Sequence, residues 1–198
     1  MIEHYHYDCV ASTNTTAKQF ASQLLGTKPH LPNNFSGAVF TADEQTQGRG
    51  RGDHSWYSAP YDGLYYSLLI PPPEDYQNLS SLTTQIGTIT IDSIQHLTAT
   101  QPQLEWPNDI ILNQKKLGGI LIESVGRSNT ASPQFVVIGI GLNLNHSDFP
   151  KHLQFSATSL YQVTQKKYDQ SQFIIFLTQT IYNYLFKINL ELKKRIIK

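Results

Sequence analysis

The chain has 198 residues, 15% of them charged, with 15 Lys/Arg balancing 15 Asp/Glu. That length suits one domain with a substantial core, and zero formal net charge excludes a protein built to coat nucleic acid, which needs a strong basic excess. Cys9 is the sole cysteine, which excludes an internal disulfide and a cysteine-rich zinc site. The start, Met1 to His6, lacks the apolar segment of a signal peptide. The longest apolar stretch, near Phe135–Leu144, is about half of the ~20 residues a membrane helix needs. The expectation is a soluble, cytoplasmic protein.

Ile2–Val10 alternates aromatic and polar residues and predicts a strand. Ser12 is a good N-cap, and Ala17, Phe20, Ala21, Leu24 and Leu25 follow at helical spacing until Gly26. Gly37–Ala42 reads as a strand, Glu44–Ser58 as a polar, Gly-rich segment, and Leu64–Ile70 as a strand ended by three prolines. Leu79, Leu82, Ile86, Ile89 and Leu97 predict a long helix. Short apolar runs at Leu104–Trp106, Ile110–Leu112, Leu117–Val125 and Gln134–Asn143 predict strands, with a hairpin turn at Asn113–Lys115 and a longer one at Gly126–Pro133. A last helix starts near Asp169, with Phe173, Leu177, Ile181, Leu185 and Ile188 on its apolar face. Lys193, Lys194 and Arg195 fall near its expected C-terminal end. No linker divides the chain. The expected class is α+β: a mainly antiparallel or mixed sheet with helices packed on one face.

Three segments carry chemistry. Gln45 to Trp56 holds Gly48-Arg49-Gly50-Arg51-Gly52. Glycines let a backbone approach an anion, and arginines offer planar donors to carboxylate or phosphate. It is neither a P-loop nor a dinucleotide fingerprint, since the required lysine and third glycine are absent. A flexible RG-rich surface loop reads the composition about equally well. Trp106-Pro107-Asn108-Asp109 reads as a turn, and Lys116 by itself as an exposed lysine beside a hairpin. The pairs Gly118-Gly119 and Gly139/Gly141 interrupt apolar strands, where a ligand or another backbone comes close. Two such strands suggest a shared cleft floor. His4 and His6 share one face of a strand, but no neighbouring Asp, Glu or Cys pattern completes a metal site.

In order, Ser12-Thr13-Asn14, Gly48-Arg49-Gly50-Arg51 with Trp56, Trp106-Pro107-Asn108-Asp109, Lys116-Leu117-Gly118-Gly119-Ile120-Leu121 and Gly139-Ile140-Gly141-Leu142-Asn143 resemble the biotin protein ligases, the biotin–[acetyl-CoA-carboxylase] ligases. The resemblance spans about residues 1–190. It implies the catalytic domain shared by biotin and lipoate ligases, a fold like that of class II aminoacyl-tRNA synthetases. It also implies a two-step reaction. Biotin and MgATP give biotinyl-5′-adenylate, and the acyl group passes to a lysine of a biotin carboxyl carrier protein.

The same resemblance assigns roles. Ser12, Thr13 and Gln45 would hold the ureido end of biotin, and Asn14 and Gly48 would belong to the biotin-binding set. Arg49, Gly50 and Arg51 would close over the carboxylate and α-phosphate, and Lys116 would contact the forming acyl-phosphate. Trp56, Asn108 and Asn143 would meet the adenylate together with Arg49, Arg51 and Lys116. Asp109 would place Mg²⁺ or the incoming lysine. Gly118, Gly119, Gly139 and Gly141 would line the biotin pocket, and the catalytic set would be Lys116, Arg49, Arg51 and Asp109.

Two departures stand out. Glu105 occupies a position that is usually lysine in the family. Neither the family's small C-terminal β-barrel nor its N-terminal helix-turn-helix is expected, so no DNA partner is expected. The resemblance leaves monomer and homodimer open. A lipoate or octanoate ligase or transferase of the same fold, or a binding module without transfer activity, are the alternative readings.

Overall fold

The computed structural model describes residues 2–27, 35–74, 76–126 and 133–186. Seven strands form one sheet: β1 (Glu3–Val10), β2 (Ala38–Gln45), β3 (Gly63–Ile70), β4 (Gln103–Glu105), β5 (Asp109–Leu112), β6 (Lys115–Val125) and β7 (Phe135–Asn143). Their spatial order is β1-β2-β3-β7-β6-β5-β4. Only β1 and β2 run parallel, so the sheet is mixed and mainly antiparallel, as expected. The crossover between them is helix α1 (Thr13–Thr27).

Strand period sorts the core into two layers. Leu64, Tyr66, Leu68 and Ile70 of β3 point with Ile138 and Ile140 of β7 into the larger core. Helices α2 (Leu79–Thr98) and α4 (Gln170–Leu185) cover that face with Leu82, Ile86 and Ile94 and with Phe173, Leu177 and Ile181. Leu69 and Val137 point the other way, to Phe40 and to Ala17 and Ala21 of α1. Helices therefore lie on both faces, which corrects the one-face expectation. The small alanines of α1 let it sit close to the sheet, and its shorter apolar stripe hides a smaller core.

Helix ends follow local chemistry. Asn78 caps α2 by accepting from Ser81 N at 2.9 Å, and Asp169 caps α4 by accepting from Ser171 N at 2.8 Å. Ser12 sits at the start of α1, with its carbonyl accepting from Thr16 N. The Thr13 N–H is satisfied from another element, by Gln45 Oε1 at 2.9 Å. The five-residue helix α3 (Leu160–Thr164) was too short to announce itself by periodicity. The expected Lys193–Arg195 helix end, Ile188, and most of the Gly126–Pro133 turn lie outside the described residues.

The β5–β6 hairpin turns at Asn113 and Gln114, with φ of 51° and 62°. Both central residues of this two-residue turn are left-handed, which suits Asn113 better than Gln114. Gln114→Gly is therefore expected to stabilise the fold by about 0.5–1 kcal/mol, read as a raised urea midpoint with unchanged slope. No gain would mean that Gln114 makes a compensating contact.

Candidate active site

Register builds the cleft. Asp109 pairs with Gly119, Gly119 with Gly141, Gly141 with Tyr65, and Tyr65 with Ala42. One row further along, Leu121 pairs with Gly139, Gly139 with Ser67, and Ser67 with Phe40. Directly paired residues share a face, and this is the face that carries α1. Glycines at 119, 139 and 141 leave a trough there. A cavity of about 720 Å³ opens over it, lined by Ser12, Thr13, Arg49, Lys116, Gly119 and Gly141 among others.

Close approach sets the glycines at 139 and 141, while Gly119 has room for an ordinary contact. A Cβ on Gly139 would fall 2.2 Å from Asn14 Oδ1, and one on Gly141 2.6 Å from the Trp56 ring. A Cβ on Gly119 would face Trp56, Lys116 and Asp109. Gly118 differs. It points to the opposite face, where a Cβ would meet Leu142 at 2.5 Å, and it does not line the cleft.

One end of the cleft is a closed polar network. Gln45 accepts from Thr13 N, and its Nε2 donates to Ser58 Oγ at 2.9 Å. Ser67 Oγ lies 2.8 Å from Thr13 Oγ1 and 2.6 Å from Asn14 Oδ1. Asn14 Nδ2 donates to Leu121 O and to Glu123 Oε2 at 3.1 and 3.0 Å. Ser12, Thr13, Asn14 and Ser67 are all buried. Hydroxyl and amide groups fixed in this way present matched donors and acceptors to a neutral polar ligand. Asn14 spends its amide on tying α1 to β3 and β6.

The other end is charged. Lys116 Nζ lies 2.7 Å from Asp109 Oδ2 and 5.8 Å from the centre of the Trp56 ring. The lysine backbone is pinned on both sides, its N–H donating to Ser156 O and its carbonyl accepting from Thr158 N. Asn143 Nδ2 donates to Thr158 O at 3.0 Å and also reaches Lys116 O. Asn108 donates to Ile120 O, which holds the turn before Asp109 against β6. Asp109 Oδ1 faces Gly119 rather than the lysine.

The Gly-rich segment is a folded hairpin. Arg49 bridges Ser55, Gly50 N donates to His54 O at 2.7 Å, and Trp56 N donates to Gly48 O. Gly52, with φ of 62°, sits near its tip, and residues 51–55 are exposed. Trp56 leans from the end of this hairpin onto Gly141, and its buried Nε1 has no hydrogen-bond partner among the described residues. A second cavity shares Gln45, His54, Ser55, Trp56 and Lys116 with the first, and Gly48, Asn143, Phe149 and Ala157 also line it. The residues predicted from sequence thus divide. Ser12, Thr13, Asn14, Arg49, Gly50, Arg51, Asn108, Asp109, Gly119, Gly139 and Gly141 line the first cavity, Gly48 and Asn143 only the second, and Gln45, Trp56 and Lys116 stand in both.

Sequence reading missed Ser58, Ser67 and Glu123. Each is an ordinary strand or loop residue whose role arises only from its paired neighbours. Glu123 joins Lys18 Nζ at 2.8 Å and Arg49 Nη1 at 3.1 Å. Burial opposes its ionisation, but hydrogen bonds from Lys18 and Asn14 and the charges of Lys18 and Arg49 outweigh it and hold its pKa below the ordinary carboxylate value. The stabilisation this supplies is full above the unfolded pKa of about 4.3 and is lost as pH falls through the lower native value.

The structure also supplies partners that local sequence did not show. His6, Asp8 and Asp43 bring ligand atoms within 4.8 Å of one another. Asp43 arrives through the parallel β1–β2 pairing, and none of the three lines either cavity.

Fold and cleft together define a small-molecule-binding α+β domain that presents a fixed hydrogen-bonding network at one end, with Arg49 beside it on Glu123, and the Lys116–Asp109 pair at the other. A model of the Biotin/lipoate A/B protein ligase family matches residues 8–143, and the chain belongs to that family. The bifunctional ligase/repressor BirA of Bacillus subtilis is 34% identical over 168 residues, 84% of this chain and 48% of that protein. The biotin–[acetyl-CoA-carboxylase] ligase of Mycobacterium tuberculosis is 31% identical over 157 residues, 77% of this chain and 54% of its own length. This chain thus spans about half the length of these two curated relatives. The biotin protein ligase of Aquifex aeolicus, solved with biotin and ATP, superposes with a TM-score of 0.73 at 27% identity, covering 98% of this chain and 76% of that one.

Proposed function

We propose that this protein is an ATP-dependent biotin ligase, forming biotinyl-5′-adenylate and passing biotin to a lysine of a carboxyl carrier protein. The observation that carries the proposal is the meeting of two cavities along the end of the Gly-rich hairpin, with Lys116 and Trp56 among the residues they share. A two-substrate condensation needs such a junction. The polar network of Thr13, Gln45 and Ser67 suits the neutral ureido ring, and the glycine trough suits its fused rings and chain. The second cavity, with Asn143, Phe149 and Ala157, takes the nucleotide.

The chemistry follows from charge. A carboxylate and an α-phosphate repel, and Lys116 stands where they would meet. Its ammonium stabilises the negative charge that builds on the phosphoryl oxygens as the carboxylate attacks and pyrophosphate leaves. Arg49 and Arg51 add donors from the hairpin. Magnesium would neutralise the departing phosphates. Asp109 fits it through Oδ1, since Oδ2 is held by Lys116. Lying over the ligand, the hairpin keeps water from the adenylate. Transfer then forms an amide with the carrier lysine, and AMP leaves. Glu105 stands opposite Asp109 on β4, so the family's usual lysine is replaced by a carboxylate beside the cleft's charged end.

The deciding assay is pyrophosphate release with biotin and MgATP, followed by transfer of labelled biotin to a purified carrier domain. Both are expected. Octanoyl transfer without biotinyl transfer would overturn the substrate assignment, and biotin binding without release would mark a binding module.

The unpaired Trp56 N–H predicts a conformational signal. Burying such a donor costs about 1–3 kcal/mol, so the ring gains by moving when a ligand enters. The chain has two tryptophans, and Trp106 is 71% exposed. In a Trp106→Phe variant, saturating biotin is expected to change the remaining Trp56 emission. Unchanged emission under demonstrated binding would show that the ring does not move.

A further inference from the structure

We infer that Glu123 is a positioning residue that holds the Gly-rich hairpin over the cleft through Arg49. The inference rests on the reading just given and extends it to a side chain outside both cavities' linings. Arg49 is the cation that links the hairpin to the sheet here. Its Nη1 lies 3.1 Å from Glu123 Oε1 and 3.2 Å from Oε2. The guanidinium has five N–H donors in a rigid fork, so using one edge on Glu123 leaves others for a ligand.

Glu123 is itself immobilised. It sits on β6 in register with Val137, on the cleft face, and its side chain is only 14% exposed. Asn14 Nδ2 donates to Oε2 and Lys18 Nζ to Oε1. Asn14 in turn accepts from Ser67 of the polar end. One carboxylate thus joins the hairpin, the first turns of α1 and the ligand-facing network. Lys18 supplies a second cation to the same carboxylate. An arginine tethered in this way reaches the reacting groups without a search over rotamers, which is where the rate gain arises.

A plain surface ion pair is the competing account. Arg49 is 41% exposed, and such pairs hold little energy by themselves. A double-mutant cycle separates the two. Glu123→Gln keeps the shape and an acceptor for Asn14 but removes the charge. Single-turnover pyrophosphate release with biotin and MgATP, measured well below the lowered Tm of the variant, is expected to slow about tenfold in Glu123→Gln. In an Arg49→Met background the same change is expected to cost less than about twofold. Equal losses in both backgrounds, or no loss in either, would overturn the proposal.

A second readout needs no activity. Limited trypsinolysis at the Arg51–Gly52 bond, followed by mass spectrometry, reports how firmly the hairpin is held. Glu123→Gln and Arg49→Met are each expected to speed that cleavage about fivefold, and the double variant no further. Wild-type cleavage rates in both single variants would sink the tether. Absent pyrophosphate release in the wild type would refute the ligase reading alone, and the proteolysis would still decide Glu123.

Discussion

Lys116→Ala is expected to slow adenylate formation by about 10²-fold or more, the scale for removing one placed donor from developing charge. The backbone at 116 is held by Ser156 and Thr158, so truncation leaves the cleft wall in place. Stability should change little, because Lys116 and Asp109 are 39% and 29% exposed and their pair is solvent-screened. Lys116→Arg is not expected to restore the rate, since a planar fork does not place its charge where a compact ammonium does. Single-turnover pyrophosphate release measures both variants. A near-wild-type rate for Lys116→Ala would remove this lysine from the chemistry and shift the burden to Arg49 and Arg51.

Gly141→Val is expected to weaken biotin binding by about 10- to 100-fold, equivalent to the 1–3 kcal/mol of forcing extra carbons into a filled site. The added Cβ would lie 2.6 Å from the Trp56 ring and would fill the trough between Gly119 and Tyr65. Valine suits a strand interior, so the sheet should survive. Gly118→Ala is the contrast. Its Cβ meets Leu142 on the far face, so it should lower the unfolding midpoint while leaving biotin affinity near wild type. Calorimetric titration with biotin and urea unfolding of both variants tests the pair. Wild-type affinity in Gly141→Val would mean that the glycine floor does not carry the ligand.

Much of the site was legible because its residues are chemically unusual where they stand. Glycines inside apolar strands point to a close approach, whereas the arginines between glycines read about equally well as a flexible surface loop until the wider motif order is taken with them. The two glycine pairs suggested one cleft floor, and the β6–β7 register joins Gly119 to Gly141 and Gly139 to Leu121. Gly118 shows the limit. Adjacent strand residues face opposite ways, and which of Gly118 and Gly119 faces the cleft depends on register, which a single run of apolar residues does not state. Glu123 shows another limit, since its partners Asn14, Lys18 and Arg49 lie between 74 and 109 residues away in the chain.

The amino-acid sequence by itself determined the long elements and the α+β class, because periodicity and turn residues are local properties, and its motif order carried the family resemblance that pointed to most of the cleft residues. Only the tertiary structure decided that α1 covers the opposite face from α2 and α4, and that Gln45 satisfies its first N–H. It also decided that Trp56 lies on Gly141, and that one carboxylate gathers Arg49, Lys18 and Asn14. Those outcomes depend on strand order and register, which are set by how distant apolar faces pack against each other and not by any stretch of neighbouring residues.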